Sequence, residues 1–315
     1  MDHVIETVDL RKEFPDVLAV DGLNIKVRRG EVFGFLGPNG AGKTTAIRMM
    51  VGLLKPTSGS VLIDGEDVAS ATFELKGKIG ICPQDIVLWE GLTARENLVF
   101  MADMYGVPRA TSRTRAESLL EEMGLTKKAK SFVRDLSGGM KRRLNVAMAL
   151  MHDPEIVVLD EPTAGLDPQS RVRVADYIGK LSEADKTVIL TTHLMEIADE
   201  LSDRVAVIDH GKLLVVDPPE RLKDTVGTGD VLEIHLTDEN KVSDAIGAIE
   251  TVEGIDSAAP VDGVIAVRAL DMVGKLQRLF NTLEERKIEI SNVSLRKNTL
   301  EDVFITLTGR GLREG

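Results

Sequence analysis

The 315-residue chain has one cysteine, Cys82, one tryptophan, Trp89, and only 3% aromatic residues. A single cysteine excludes an internal disulfide and fits a reducing compartment. Cations are also scarce: 39 lysines and arginines stand against 51 acids, a net charge of -12. That balance argues against a general affinity for nucleic-acid phosphates. No run approaches the roughly 18 uninterrupted apolar residues of a membrane helix. The opening MDHVIETVDLRKEF carries acids where a signal peptide needs an apolar core. A soluble, cytoplasmic protein is expected, which leaves docking onto a membrane partner open. What is present is a globular mixture, 43% hydrophobic and 29% charged, long enough for two domains that each bury a core.

The first thirty residues alternate in strand fashion, and EVFGFLG then reads as a buried strand ending in glycine. AIRMMVGLL looks helical, SVLIDG is a short strand, and helical spacing dominates from about Leu92 to Leu150. EIVVLD, KTVILTTH and RVAVIDHGKLLVV are continuous apolar runs suited to strands buried on both faces. The alternation of strands and helices predicts an α/β core with a mostly parallel sheet. Composition shifts near Val226-Gly227-Thr228-Gly229, a linker that predicts domains at residues 1–228 and 229–315. The second reads as βαββαβ, the split-βαβ arrangement, closed by a last helix.

Gly37-Pro38-Asn39-Gly40-Ala41-Gly42-Lys43-Thr44 matches G-x-x-x-x-G-K-[ST] between a strand and a helix. Glycines let backbone N–H groups curl around an anionic phosphate, and the helix N-terminus points its dipole at the same anion. Lys43 is placed to reach the β- and γ-phosphates, Thr44 to ligate Mg²⁺, and Thr45 to touch the α-phosphate.

Ile156-Val157-Val158-Leu159-Asp160-Glu161 is an apolar strand ending in two acids. Alternation sends neighbouring side chains apart, so Asp160 can face the metal shell and Glu161 an attacking water. An acidic turn after a strand is the plainer reading of that segment. Leu136-Ser137-Gly138-Gly139-Met140 opens a helix, either as a second anion-binding terminus or as a simple cap by Ser137.

Together these residues resemble the nucleotide-binding subunit of ATP-binding cassette (ABC) transporters, over roughly Val4 to Pro219. GPNGAGKTT resembles the Walker A motif, IVVLDE the Walker B, LSGGM the signature, and AGLD the D-loop with Asp167. Gln84 stands at the Q-loop position and His193 at that of the switch histidine. The resemblance implies a P-loop ABC ATPase domain with a RecA-like core, an antiparallel β subdomain and a helical subdomain at about residues 86–150. A small α+β ferredoxin-like domain follows. It further implies two chains pairing head to tail around ATP and Mg²⁺. Phe14 would stack on adenine and Val20 would lie against the nucleotide, while Ser137, Gly138, Gly139 and Asp167 act in trans. Glu161 would be the general base, helped by His193 and Lys43, and Thr44, Gln84 and, through water, Asp160 would hold the metal.

The tail SLRKNTLEDVFITLTGRGLRE resembles cassettes of ABC-2 type exporters, in the daunorubicin-resistance and sodium-extrusion groups. That implies a homodimer in the ATP-bound state with separate ABC-2 type permease subunits, on the inner face of the membrane and without nucleic acid. The transported molecule is a drug, lipid, glycan or ion. A soluble ATPase uncoupled from transport is the alternative. Trp89 reads either as a permease-docking residue or as a core tryptophan. Lys127-Lys128 and Lys141-Arg142-Arg143 read as solvated helix faces. Leu300, Val303, Phe304 and Leu307 form one face of the last helix. That face either closes its own domain or docks on the body or a second copy.

Overall fold

The computed structural model describes residues 3–226, 230–261, 263–269 and 271–309. The chain divides into two compact units, the first reaching Pro219 and the second beginning at Glu220. The boundary expected at residues 228/229 lies outside the described residues.

In chain order the first unit runs β1 (His3–Phe14), β2 (Val17–Leu23), β3 (Lys26–Arg28), β4 (Val32–Leu36), α1 (Lys43–Met50), β5 (Ser58–Ile63), β6 (Glu66–Asp67), α2 (Phe73–Gly77) and β7 (Ile79–Cys82). It continues through α3 (Ala94–Met104), α4 (Arg109–Glu122), α5 (Gly138–Met148), β8 (Ile156–Asp160), α6 (Pro168–Glu183), β9 (Thr187–Thr192), α7 (Met195–Leu201), β10 (Arg204–Asp209) and β11 (Lys212–Asp217). Its principal sheet has the order β11-β10-β4-β9-β8-β7, parallel except for β11 at one edge. Every residue of β4, β8 and β9 is buried. Burial on both faces is why these strands read as unbroken apolar runs rather than as alternation. Parallel neighbours share a carboxyl edge, so the segments leaving β4, β7, β8 and β9 emerge side by side.

RVAVIDHGKLLVV is not one buried strand. His210 (φ 46°) and Gly211 (φ 76°) are both left-handed, and they turn the chain between β10 and an antiparallel, partly exposed β11. Two residues of positive φ between paired strands are the hairpin geometry that matches strand twist.

A second, antiparallel sheet has the order β2-β1-β5-β6, with β3 also paired to β1. Phe33 and Phe35 of β4 meet edge-on at 5.4 Å, fully buried, in the apolar cluster shared with β1 and α1. Burial of each contributes about 1.5–3 kcal/mol. Another cluster joins Leu98, Leu120 and Leu144 of α3, α4 and α5 to Leu159 of β8, fixing these helices to the sheet. Among the described residues, no helix is long and apolar enough to cross a membrane.

Helix α8 (Pro219–Thr225) begins at the boundary residue, and the second unit continues through β12 (Asp230–Leu236), α9 (Val242–Ile249), β13 (Ser257–Val261), β14 (Val264–Ala269), α10 (Met272–Glu285), β15 (Ile290–Lys297) and α11 (Leu300–Thr308). Its sheet order, β13-β14-β12-β15 with all pairs antiparallel, is the ferredoxin-like arrangement. Thr299 and Asp302 form a reciprocal capping box at the start of α11. Leu300, Val303 and Phe304 are buried, whereas Leu307, on the same face of α11, is 44% exposed.

Asp302 is 3% exposed and receives Arg268 and Arg296, each at 2.6 Å, as well as the Thr299 amide and hydroxyl. Burial alone would raise its pKa, but Arg296 and Thr299 outweigh burial and hold it below the ordinary carboxylate value. A depressed folded-state pKa contributes stability that is present above the unfolded value and lost as pH falls through the folded one. Asp302→Ala is therefore expected to cost about 3 kcal/mol at neutral pH. The penalty should shrink below about pH 4, near the ordinary aspartate value. Equal penalties at neutral and acid pH in urea melts would contradict this.

Candidate nucleotide-binding site

The loop between β4 and α1 turns back on itself through glycines that cannot be replaced freely. A Cβ on Gly37 would lie 2.2 Å from the Ile208 carbonyl oxygen, and one on Gly42 (φ 100°) 2.3 Å from that of Ala19. Gly42 also stands at the N-terminus of α1, with no side-chain cap on the helix. The first amides of α1 are therefore free of a capping side chain and aimed at the loop's concavity.

That concavity is a cavity of about 260 Å³ lined by residues 38–45, Ala19, Gln84 and Glu161. Pro38, Asn39, Gly40, Ala41, Gly42, Lys43, Thr44 and Thr45 thus surround it as the sequence implied. Val20 does not. It is 2% exposed and belongs to the core beneath the loop, and its neighbour Ala19 faces the cavity. Successive strand side chains point to opposite faces, so an assignment one residue off exchanges core for site.

Lys43 is 6% exposed, and its Nζ donates to the carbonyls of Gly37 at 2.6 Å and Pro38 at 3.1 Å. Burial lowers its pKa, opposed by the carboxylates of Glu161, 3.7 Å away, and Asp160. The loop thus holds a desolvated cation at the cavity wall, where Coulomb attraction for an anion is less damped than in water.

Asp160, 3% exposed at the end of β8, accepts hydroxyl bonds on Oδ1 from Thr44 at 3.1 Å and Thr191 at 2.6 Å. Thr191 also accepts from the Glu161 amide at 2.9 Å. Glu161 has a left-handed backbone (φ 51°), so a turn rather than strand alternation separates its carboxylate from that of Asp160. Its Oε2 lies 3.0 Å from His193 Nδ1, while its buried Oε1 faces the Lys43 ammonium at 3.7 Å. A carboxylate buried at a cavity wall between a lysine and a histidine is costly to desolvate, and such costs persist where chemistry uses the group. His193 follows β9 and is 40% exposed by its side chain.

The remaining expected residues stand outside this cavity. Phe14 closes β1, 41% exposed, with Lys12 Nζ 5.1 Å from its ring centroid. Ser137 caps α5 through the Met140 amide at 3.3 Å, with Gly138 beside it exposed and Gly139 half-buried. Asp167 caps α6 through the Ser170 amide at 3.0 Å, which, with the Ser170 side chain, lowers its pKa. Trp89 is neither core nor fully free. It is 40% exposed, edge-on to Phe100 at 4.5 Å, with its backbone bonded to Asn97.

Lys127 and Lys128 are exposed, but the reading of Lys141-Arg142-Arg143 as a solvated face is corrected. Lys141 pairs with Glu90 at 3.0 Å, Arg142 is 4% exposed, and Arg143 donates to the Met123 carbonyl. Charge periodicity cannot distinguish a solvated arginine from one whose partners are backbone carbonyls of distant loops. Thr191 was also missed, although the hydroxyls that follow the apolar Val188, Ile189 and Leu190 of β9 were a visible signal.

Comparison with known proteins agrees with this geometry. A family model described as ABC transporter matches residues 20–164. The chain is 35% identical over 313 residues to the linearmycin resistance ATP-binding protein LnrL of Bacillus subtilis, covering 99% of this chain and 100% of that protein. It is 38% identical over 307 residues to the daunorubicin/doxorubicin resistance ATP-binding protein DrrA of Streptomyces peucetius, covering 98% and 93%. Among solved structures, it is similar to the dimeric post-hydrolysis state of the ATP-binding cassette MJ0796 bound to ADP and Pi. That similarity has a TM-score of 0.63 and 28% identity, over 68% of this chain and 98% of that one.

Proposed function

We propose, from the premise that this chain belongs to the ABC transporter family as one of its ATP-binding subunits, that it hydrolyses ATP to drive export by separate membrane subunits. The observation that carries the reading is the series Lys43, Glu161 and His193: Lys43 and Glu161 line the cavity, the Lys43 ammonium stands 3.7 Å from Glu161 Oε1, and His193 Nδ1 lies 3.0 Å from Oε2. Lys43 and the loop amides hold the β- and γ-phosphates. Glu161 accepts a proton from the attacking water, and His193 fixes the carboxylate's orientation.

The residues fit Mg²⁺ as well: the Thr44 hydroxyl and Asp160 carboxylate are oxygen donors 3.1 Å apart beside the phosphate loop, and Gln84 reaches the same cavity. When bound, the ion would neutralise phosphate charge. Phe14 offers an exposed ring for adenine.

Two chains pair head to tail, so that Ser137, Gly138 and Gly139 of one cover the nucleotide of the other and Asp167 lies near the junction. The 11-residue helix α5 supplies the amide terminus for that contact. The export partner is an ABC-2 type permease, which places this subunit at the inner face of the membrane. The names of the relatives favour a drug or antibiotic as cargo. Trp89, Phe100 and Met104 supply the apolar surface for the permease: Trp89 touches Phe100, and Phe100 and Met104 are one turn apart on α3.

The test is purification of the Glu161→Gln chain from detergent-solubilised native membranes with Mg-ATP. A multi-helix membrane protein in equal amount is the expected companion. A lone soluble dimer, or ribosomes, under several detergents would reject the export reading. In the same assay Trp89→Ala should reduce recovery of the companion at least about tenfold, as for a buried aromatic anchor, with nucleotide affinity unchanged. Full recovery would remove Trp89 from the contact.

A further inference from the structure

Helix α5 opens at the residues proposed to meet a second chain's nucleotide, and its buried face carries Arg142 and Asn145, 4% and 3% exposed. The Arg142 guanidinium is spread over two segments that emerge at the sheet's carboxyl edge. Nη1 donates to the carbonyls of Pro83 at 3.0 Å and Gln84 at 2.6 Å. Nη2 donates to those of Asp160 at 2.6 Å and Glu161, and Nε to that of Pro162 at 3.3 Å. Asn145 extends the hold on the first segment: Nδ2 lies 3.3 Å from the Pro83 carbonyl and 3.4 Å from that of Asp85, and Oδ1 accepts from the Val87 amide at 3.1 Å.

The choice of carbonyls matters. Those of Pro83 and Gln84 belong to the two peptide planes on either side of the Gln84 Cα. Those of Asp160 and Glu161 flank the Glu161 Cα in the same way. Fixing both planes around a residue fixes its φ and ψ, and with them the direction of its side chain. For Glu161 the fixed conformation is left-handed, one a glutamate holds only when its surroundings determine it. Among the described residues every hydrogen bond of the Arg142 guanidinium goes to a backbone carbonyl, so burial of this cation is compensated by the carbonyls it organises.

We propose that Arg142 is a positioning residue for hydrolysis. It makes the aim of Gln84 and Glu161 depend on the seat of α5, and thereby links the Ser137 end of that helix to the chain's own catalytic carboxylate. The inference rests on the ATPase reading above and deepens it.

The experiment compares the full unsubstituted chain with Arg142→Met, which keeps the apolar stem and removes every donor, and with Arg142→Lys, which restores some. Steady-state phosphate release gives kcat and KM, a fluorescent ATP analogue gives Kd, and a urea melt reports folding. Arg142→Met should lower kcat at least about 30-fold, since small misplacement of reacting groups costs up to roughly a hundredfold. Its nucleotide Kd should stay within about threefold, because the Lys43 loop is untouched. Arg142→Lys should recover part of kcat, and it alone carries the test if the methionine variant does not fold, with kcat lowered and Kd held. Wild-type kcat in a substituted chain, a parallel loss of kcat and affinity, or lysine no better than methionine would each overturn the inference. No phosphate release from the unsubstituted chain would instead overturn the ATPase reading on which it rests.

Discussion

Replacing Glu161 by glutamine should lower phosphate release by about 10²–10⁴-fold, the usual contribution of a positioned general base, while ATP remains bound. Glutamine keeps the side chain's shape and can retain the contact with His193, now 3.0 Å away. It cannot accept the proton of an attacking water. Because hydrolysis no longer discharges the dimer, Mg-ATP should trap the pair, visible as a doubling of mass on size exclusion. Wild-type release by a folded variant would assign the carboxylate a structural role only.

Lys43→Ala should act earlier, on binding itself. Charge-assisted bonds of this type are worth about 1.5–3 kcal/mol, which corresponds to roughly 10- to 150-fold in nucleotide Kd. The substitution also removes the donor shared by the Gly37 and Pro38 carbonyls and the ammonium 3.7 Å from the Glu161 carboxylate. A modest loss of stability, about 1–3 kcal/mol for groups left unpaired, should therefore accompany the weaker binding. Titration with a fluorescent ATP analogue separates the two effects. Unchanged affinity in a folded Lys43→Ala chain would contradict the place given to the loop.

The phosphate loop was legible because its constraints are local: glycines where a Cβ meets backbone, and a lysine and a threonine at the start of a helix. The buried strands were legible for a similar reason, since burial on both faces leaves an unbroken apolar run. What escaped depends on contacts far apart in sequence. Val20 and Ala19 differ only in strand phase, which the pattern of β2 does not announce. The β10–β11 hairpin was hidden because His210 and Gly211 interrupt the apolar run for only two residues. Arg142 looked solvated because its partners, at residues 83–84 and 160–162, are carbonyls brought to it by tertiary folding. The left-handed turn at Glu161 likewise follows no local pattern that would have placed it in advance.

The central claim is that this chain hydrolyses ATP at a site completed by a second copy. Phosphate release from Mg-ATP, followed as the concentration of purified protein is raised, tests it most directly. The specific rate should climb with protein concentration and then level off as dimers form, and it should vanish in the Glu161→Gln chain. A specific rate that is independent of protein concentration in a monomer, or no release above background at any concentration, would contradict the account.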